Sequence, residues 1–154
     1  MILDALILQT RLFLSEDMDI EIKEVTIDDT NPERLSLKKY TSMIGTGGSL
    51  NSMVIVSFDE DLLNHLVEIF MDGEEVEEDE KDEILTSVTG ETINTIIGLS
   101  LPIFPNRGKG ITITPPVSIG DASSIKKDKN SKILKAGIST DFGEMNICMI
   151  SAEI

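Results

Sequence analysis

Residues 79–98 constrain this chain more than any other stretch. Ile84, Leu85, Val88, Ile93, Ile96, Ile97 and, just beyond, Leu99 spread around most of a helical wheel. A helix over this segment must be covered by other elements on most of its sides. One strip differs. Each helical residue advances about 100°, which puts Glu91 at about +40° from Ser87, Asn94 at about −20° and Gly98 at about +20°. A hydroxyl, a carboxylate and a carboxamide therefore share one narrow line. On periodicity alone this line reads first as the water-facing stripe of an amphipathic helix. It has a chemical reading too, since a carboxylate can grip a cation and an amide one turn away can hold a water.

The rest of the chain must supply what covers that helix. Residues 2–14 have helical spacing through Leu3, Leu6, Ile7 and Leu14. Ile20, Ile22, Val25 and Ile27 read as a strand, and Asp28-Asp-Thr-Asn-Pro32 as a turn. A second extended segment is expected from Leu35 to Ile44, then a tight turn at Gly45-Thr-Gly-Gly-Ser49, then a buried strand at Met53–Phe58. Ser57 or Asp59 could cap the next helix, where Leu62, Leu63, Leu66, Val67, Ile69 and Phe70 are helix-spaced and Asp72-Gly73 is the stop. The long helix follows, closed by Gly98 and Pro102. Ile111, Ile113, Val117 and Ile119 suggest an edge strand broken by Pro115-Pro116. Residues 132–140 alternate, and Asp141-Phe-Gly-Glu144 turns into a last strand over 145–154.

The order is αβββααβββ. Strands and helices come in blocks, which predicts an α+β fold with helices packed on an antiparallel sheet of about six strands. A length of 154 residues fits one domain spanning 1–154, and aromatics are scarce, so Ile, Leu, Val and Met must fill the core.

Charge excludes one class of partner. The net charge of −15 leaves no basic face for phosphate backbones, so nucleic acid is not expected. Residues 74–83 hold eight of the 28 acidic side chains and read as a solvated loop into the long helix. Lys126, Lys127, Lys129 and Lys132 stand among Asp, Asn and Ser, the composition of an exposed loop. No apolar run reaches 18 residues, so no membrane insertion is expected. The apolar start lacks a basic n-region and is interrupted by Asp4, which reads as a mature helix and not a signal peptide. A single cysteine, Cys148, forbids an internal disulfide and fits a cytoplasmic location.

Other reactive groups are few. His65 is the sole histidine and lies on a Leu-rich helix, with no second His or Cys cluster for zinc. No Gly-x-Ser-x-Gly elbow accompanies it. The Gly45–Ser49 stretch lacks a Walker lysine. Cys148 sits in an apolar strand, as a buried, inert thiol would. The methionines scatter through apolar segments as core filling. No metal or cofactor site is expected in this chain.

The spacing Ser87-x-x-x-Glu91-x-x-Asn94, with Gly98 four residues on, resembles the signature of the CheC/CheX/FliY family of chemotaxis phosphatases. Two flanking blocks resemble that family as well: Gly45-Thr-Gly-Gly48 through Phe58, and Ile111-Thr-Ile-Thr-Pro-Pro116-Val-Ser-Ile-Gly120. The likeness covers about residues 40–120. It departs at Ser52, where Gly is frequent, and at Leu99-Ser100, where Asn-Ala is common. Asp61-Leu-Leu-Asn64 has similar spacing but an Asp for the acid, and reads as coincidence. A single site in a chain of this length is similar to CheX, whose relatives are dimers that exchange sheet elements.

The resemblance implies a phosphatase acting on the phosphoaspartate of a CheY-like response regulator, with the aspartate, a magnesium ion and a lysine supplied by the regulator. It implies that Glu91 pairs with that lysine and that Asn94 aligns a water, with Ser87 and Gly98 in support. A homodimer is implied too. The rival readings are a scaffold that binds a regulator without hydrolysis, and a structural dimer whose strip is merely solvated.

Overall fold

The computed structural model describes residues 2–120 and 122–152. Helix α1 (Ile2–Leu12) runs on into a wider π turn at Phe13–Asp17. Strands β1 (Ile22–Asp28), β2 (Arg34–Ser36), β3 (Tyr40–Gly48) and β4 (Ser52–Phe58) follow. Next come α2 (Glu60–Phe70), an exposed acidic loop with a 3-10 turn at Glu78–Glu80, and α3 (Lys81–Ser100). The chain then forms β5 (Ile111–Ile113), β6 (Val117–Ile119), β7 (Ser124–Lys126), β8 (Ser131–Thr140) and β9 (Gly143–Ala152). Met1 and residues 153 and 154 of the expected last strand lie outside the described residues.

The α+β expectation holds. Every strand pair is antiparallel, in the order β1-β8-β9-β4-β3, with β5 and β6 both on the far side of β3. Those two are halves of one edge strand. Thr46 pairs with Ile113 and Met43 with Val117, so three edge residues stand opposite two of β3. The bulge falls on Thr114-Pro115-Pro116, where proline has no N–H to give to the ladder. The sequence-predicted break is there for that reason.

Three helices cover one face of the sheet. Leu6, Leu14, Phe58, Leu63, Ile93 and Ile97 are among the fully buried side chains of this layer. Each such side chain contributes about 1.5–3 kcal/mol on burial. The opposite face is closed by a ribbon that the sequence did not reveal. β2 pairs with β7, and its Leu35 packs with Ile55, Ile133 and Cys148 into a second, smaller core. The expected extended segment from Leu35 to Ile44 is therefore two strands, β2 and β3, that belong to different sheets.

Three local expectations are corrected. The glycines at 45–48 do not form the turn. β3 continues through Gly48, and the reversal lies at residues 49–51. Glycine is required there by the edge strand. Gly48 has φ +78°, and a β-carbon on it would collide with the Gly110 carbonyl. Asp59 stands at the N-cap of α2, but neither its side chain nor that of Ser57 bonds the first turn of the helix. Asp59 Oδ2 accepts from the Glu144 N–H at 2.8 Å and its Oδ1 pairs with Lys38 Nζ at 2.9 Å. Ser57 Oγ accepts from the Lys38 N–H at 2.6 Å. Gly98 does not end the long helix, which runs to Ser100, and Pro102 opens a following 3-10 turn at Leu101–Ile103. Proline is tolerated at the start of such a turn because its N–H would be unpaired anyway.

Gly48→Ala should lower stability by about 1–3 kcal/mol, the usual cost of a left-handed non-glycine residue with a blocked β-carbon. Urea denaturation followed by circular dichroism measures it, and an unchanged midpoint would contradict the role given to β5.

Candidate functional site

Helix α3 lies between α1, α2 and the sheet, and packs on β3, β4 and β6. Val88, Thr89, Gly90, Thr92, Ile93, Ile96 and Ile97 are buried. Ser87, Glu91, Asn94 and Gly98 are exposed. The wheel read from sequence is thus largely the wheel in space, except that Leu99, expected among the covered positions, is 49% exposed near the end of the helix. Several of its hydroxyls turn back onto the helix: Thr86, Thr92, Thr95 and Ser100 donate to carbonyls four residues earlier at 2.6–2.9 Å. This satisfies their polar groups without leaving the helix.

A cluster of hydroxyls seats α3 on the sheet. Ser42 of β3 bonds Thr89 of α3 at 2.6 Å and also bonds Ser118 of β6. Thr89 Oγ1 donates to the Thr86 carbonyl at 2.6 Å. Ser42 and Thr89 are fully buried, so each depends on these partners. Gly90 makes the close approach feasible. A β-carbon there would lie 3.3 Å from Ser118 Oγ and 3.8 Å from Pro116 Cγ. Farther back, the Tyr40 hydroxyl donates to Asp82 Oδ1 at 2.8 Å, fixing the first turn of α3. Burial, then the Asp82 and Glu60 carboxylates, push that hydroxyl's pKa well above its ordinary value.

The result is a shallow depression of about 320 Å³ lined by Thr86, Ser87, Gly90, Glu91, Asn94, Pro116 and Ser118. Three of the four sequence-predicted residues meet in it. Gly98 lies one turn beyond, and no atom comes within 4 Å of where its β-carbon would be. The second wall, Pro116 and Ser118, was not foreseen as part of the site. A signal did exist: Gly90 is a mid-helix glycine, which costs about 1 kcal/mol against alanine and calls for a packing reason. Among the described residues no cation pairs with the Glu91 carboxylate and no side chain bonds the Asn94 carboxamide. Both groups are available to something outside the chain.

The remaining candidates fall away on geometry. His65 stacks on Phe142 with ring centroids 3.6 Å apart, and its Nδ1 lies 3.8 Å from Glu68 Oε2. No group of metal-ligating side chains occurs among the described residues. Cys148 is 1% exposed, and burial, slightly offset by Lys135, pushes its thiol up to about 12. That thiol stays protonated and inert at neutral pH. A larger cavity of about 620 Å³ lies between α2, the acidic loop and the start of α3; Asn64 lines it, but Glu91 and Asn94 do not. Of the lysine cluster, Lys126, Lys129 and Lys132 are exposed and Lys127 Nζ donates to Asn31 Oδ1. No helix is long and apolar enough to cross a membrane.

Thr89→Val keeps the shape of the helix face but takes a bonding partner from the buried Ser42 hydroxyl. A loss of about 1–2 kcal/mol is expected by urea denaturation. A neutral effect would mean that the hydroxyl cluster does not hold α3 in place.

Comparison with known proteins places this geometry. The sequence matches the family model described as "Chemotaxis phosphatase CheX" over residues 40–138. No curated protein sequence matches. Among solved structures the fold is similar to a chemotaxis protein CheX from Desulfovibrio desulfuricans, with a TM-score of 0.78, 16% identity, and 96% of this chain and 97% of that one covered. It is similar to CheX from Vibrio vulnificus, with a TM-score of 0.78, 18% identity and coverage of 96% and 97%. It is also similar to a structure of the CheX-CheY-BeF3-Mg2+ complex from Borrelia burgdorferi, with a TM-score of 0.77, 17% identity and coverage of 100% and 99%.

Proposed function

This chain belongs to the chemotaxis phosphatase CheX family, and from that premise we propose that it hydrolyses the phosphoaspartate of a CheY-like response regulator. The observation that carries the reading is the pair Glu91 and Asn94, one turn apart on an exposed strip of a largely buried helix and without side-chain partners among the described residues. A CheX-CheY complex among the similar structures supports a regulator as the partner.

In this mechanism α3 docks its strip against the phosphorylated site of the regulator. Glu91 pairs with the regulator's lysine. A carboxylate on a rigid helix spends little entropy on that contact and sets the register of docking. Asn94 then holds a water in line with the bond to phosphorus. Its carboxamide can donate through nitrogen and accept through oxygen, so it can fix both the place and the orientation of a water. The regulator supplies the acyl phosphate and the magnesium, so this chain contributes positioning and not charge neutralisation. Ser87 sits on the rim of the depression as a supporting contact. Gly98, with open space over it, lets the partner's backbone come close along the strip.

Asn94→Ala should slow the stimulated release of phosphate from the regulator at least about 100-fold, as loss of an aligning group does, while leaving regulator binding intact. Glu91→Ala should weaken binding about tenfold or more and lose activity with it. Phosphate release from a phosphorylated CheY-like regulator and titration calorimetry measure the two effects. Full activity in Asn94→Ala would sink the mechanism, and wild-type binding without release would favour the scaffold.

The homodimer has a surface that suits it. The β5–β6 edge exposes Ile113 at 44%, Val117 at 58% and Ile119 at 40% beside unpaired backbone groups. An apolar open edge of this kind invites another strand. Light scattering should give twice the monomer mass for the wild type. The Ile113→Lys, Val117→Lys double variant should give the monomer mass, and an unchanged dimer would place the interface elsewhere.

A further inference from the structure

The cavity of about 620 Å³ between α2, the acidic loop and the first turns of α3 takes no part in the strip. The two linings share no residue. Lys81 and Leu85, its contacts on α3, lie about 120° and 160° around the wheel from Ser87. Its floor is apolar. Val67 of α2 is 7% exposed and Leu85 of α3 is 1% exposed. Val76, the one apolar residue within 74–83, folds back half-buried against the same core. Its rim is acidic. Glu68, Glu74, Glu75 and Glu78 are exposed around it, against the single cation Lys81. Among the described residues Glu74, Glu75 and Glu78 form no ion pair. The groove also stands at the C-terminal end of α2, where the helix dipole is negative and no basic residue occupies the last turn. The positive end of α3 across from it already has Asp82 and Glu83 in its first turn.

An occupant must satisfy the floor and the rim together. Metal ions do not, since the described residues hold no group of ligating side chains and an ion makes no use of an apolar floor. Nucleic acid and anionic membranes are repelled by the rim. A second copy of this chain would offer Lys126–Lys132 as its basic segment. Between those ends stand only Lys, Asp, Asn and Ser, so nothing apolar would reach Val67 and Leu85, and both copies carry a net charge of −15. We propose that the groove docks a basic segment of a partner protein. An aliphatic side chain of that segment enters between Val67, Val76 and Leu85, and lysine or arginine side chains on either side of it meet Glu74, Glu75 and Glu78. The charges steer the encounter and the apolar anchor holds it. Groove and strip face different sides of α3, so a partner seated in the groove leaves Glu91 and Asn94 open.

The test is fluorescence anisotropy of labelled peptides titrated with the full chain at low ionic strength. One peptide alternates lysine and serine around a central leucine, and its control has serine in place of the leucine. The leucine peptide should bind at least about tenfold more tightly, the factor that burying one such side chain supplies. Val76→Ser should remove most of that preference. The Glu74→Gln, Glu75→Gln, Glu78→Gln variant should bind the leucine peptide at least about tenfold more weakly than the wild type. The Glu16→Gln, Glu24→Gln, Asp29→Asn variant loses the same charge at exposed positions elsewhere and should stay within about twofold of the wild type. Equal affinity for the two peptides, or equal loss in the two triple variants, overturns the proposal, since general attraction to an acidic chain would do as much. Self-association of the chain that the leucine peptide competes away also overturns it, by giving the groove to a second copy. The titration needs no response regulator, so its outcome is separate from that of the phosphatase reading.

Discussion

Through its middle turns helix α3 offers one line of exposed side chains, Ser87, Glu91, Asn94 and Gly98, because the sheet and two other helices pack on its remaining sides. That burial fixes both where the line sits and how stiffly it is held. Ile93, Ile96 and Ile97 anchor it to the main core, and the Ser42, Thr89 and Ser118 hydroxyls anchor it to the edge of the sheet. Gly90 keeps that seat close, since a β-carbon there would press on Ser118 Oγ at 3.3 Å. A helix loosely attached to the domain would lose orientational entropy on docking. This one has lost it already on folding.

The electrostatics follow the same division. The chain is strongly acidic, and eight of its 28 acidic side chains fall at residues 74–83, in the acidic loop and the first turn of α3. Among the described residues no cation pairs with Glu91. A carboxylate without an internal partner remains available to a lysine from outside. Cys148 and His65, by contrast, are both held in packing: the thiol is buried and the imidazole stacks on Phe142.

The sequence made the site more legible than the fold around it. Helical spacing alone gave the shared line of Ser87, Glu91, Asn94 and Gly98, because the 3.6-residue period is local. The blocks of helices and strands gave the α+β class and the proline-broken edge. What stayed hidden depends on residues far apart in the chain. Asp59 looks like a helix cap until Lys38 and the Glu144 amide are placed beside it. The glycines at 45–48 look like a turn until β5 lies against them. β2 and β7 have three residues each, too few for any period to declare itself, although they close the second face. The outer wall of the site, Pro116 and Ser118, comes from this nonlocal class as well.

On the proposed mechanism the strip of α3 enters the phosphorylated site of a response regulator. Solution NMR reads it directly through the side-chain amide of Asn94. Adding a CheY-like regulator loaded with magnesium and beryllofluoride should shift or broaden the Asn94 carboxamide signals and the backbone amides of Ser87, Glu91 and Gly98 more than any others. Unmoved Asn94 signals, with the perturbation confined to the acidic loop or to the β5–β6 edge, would contradict it.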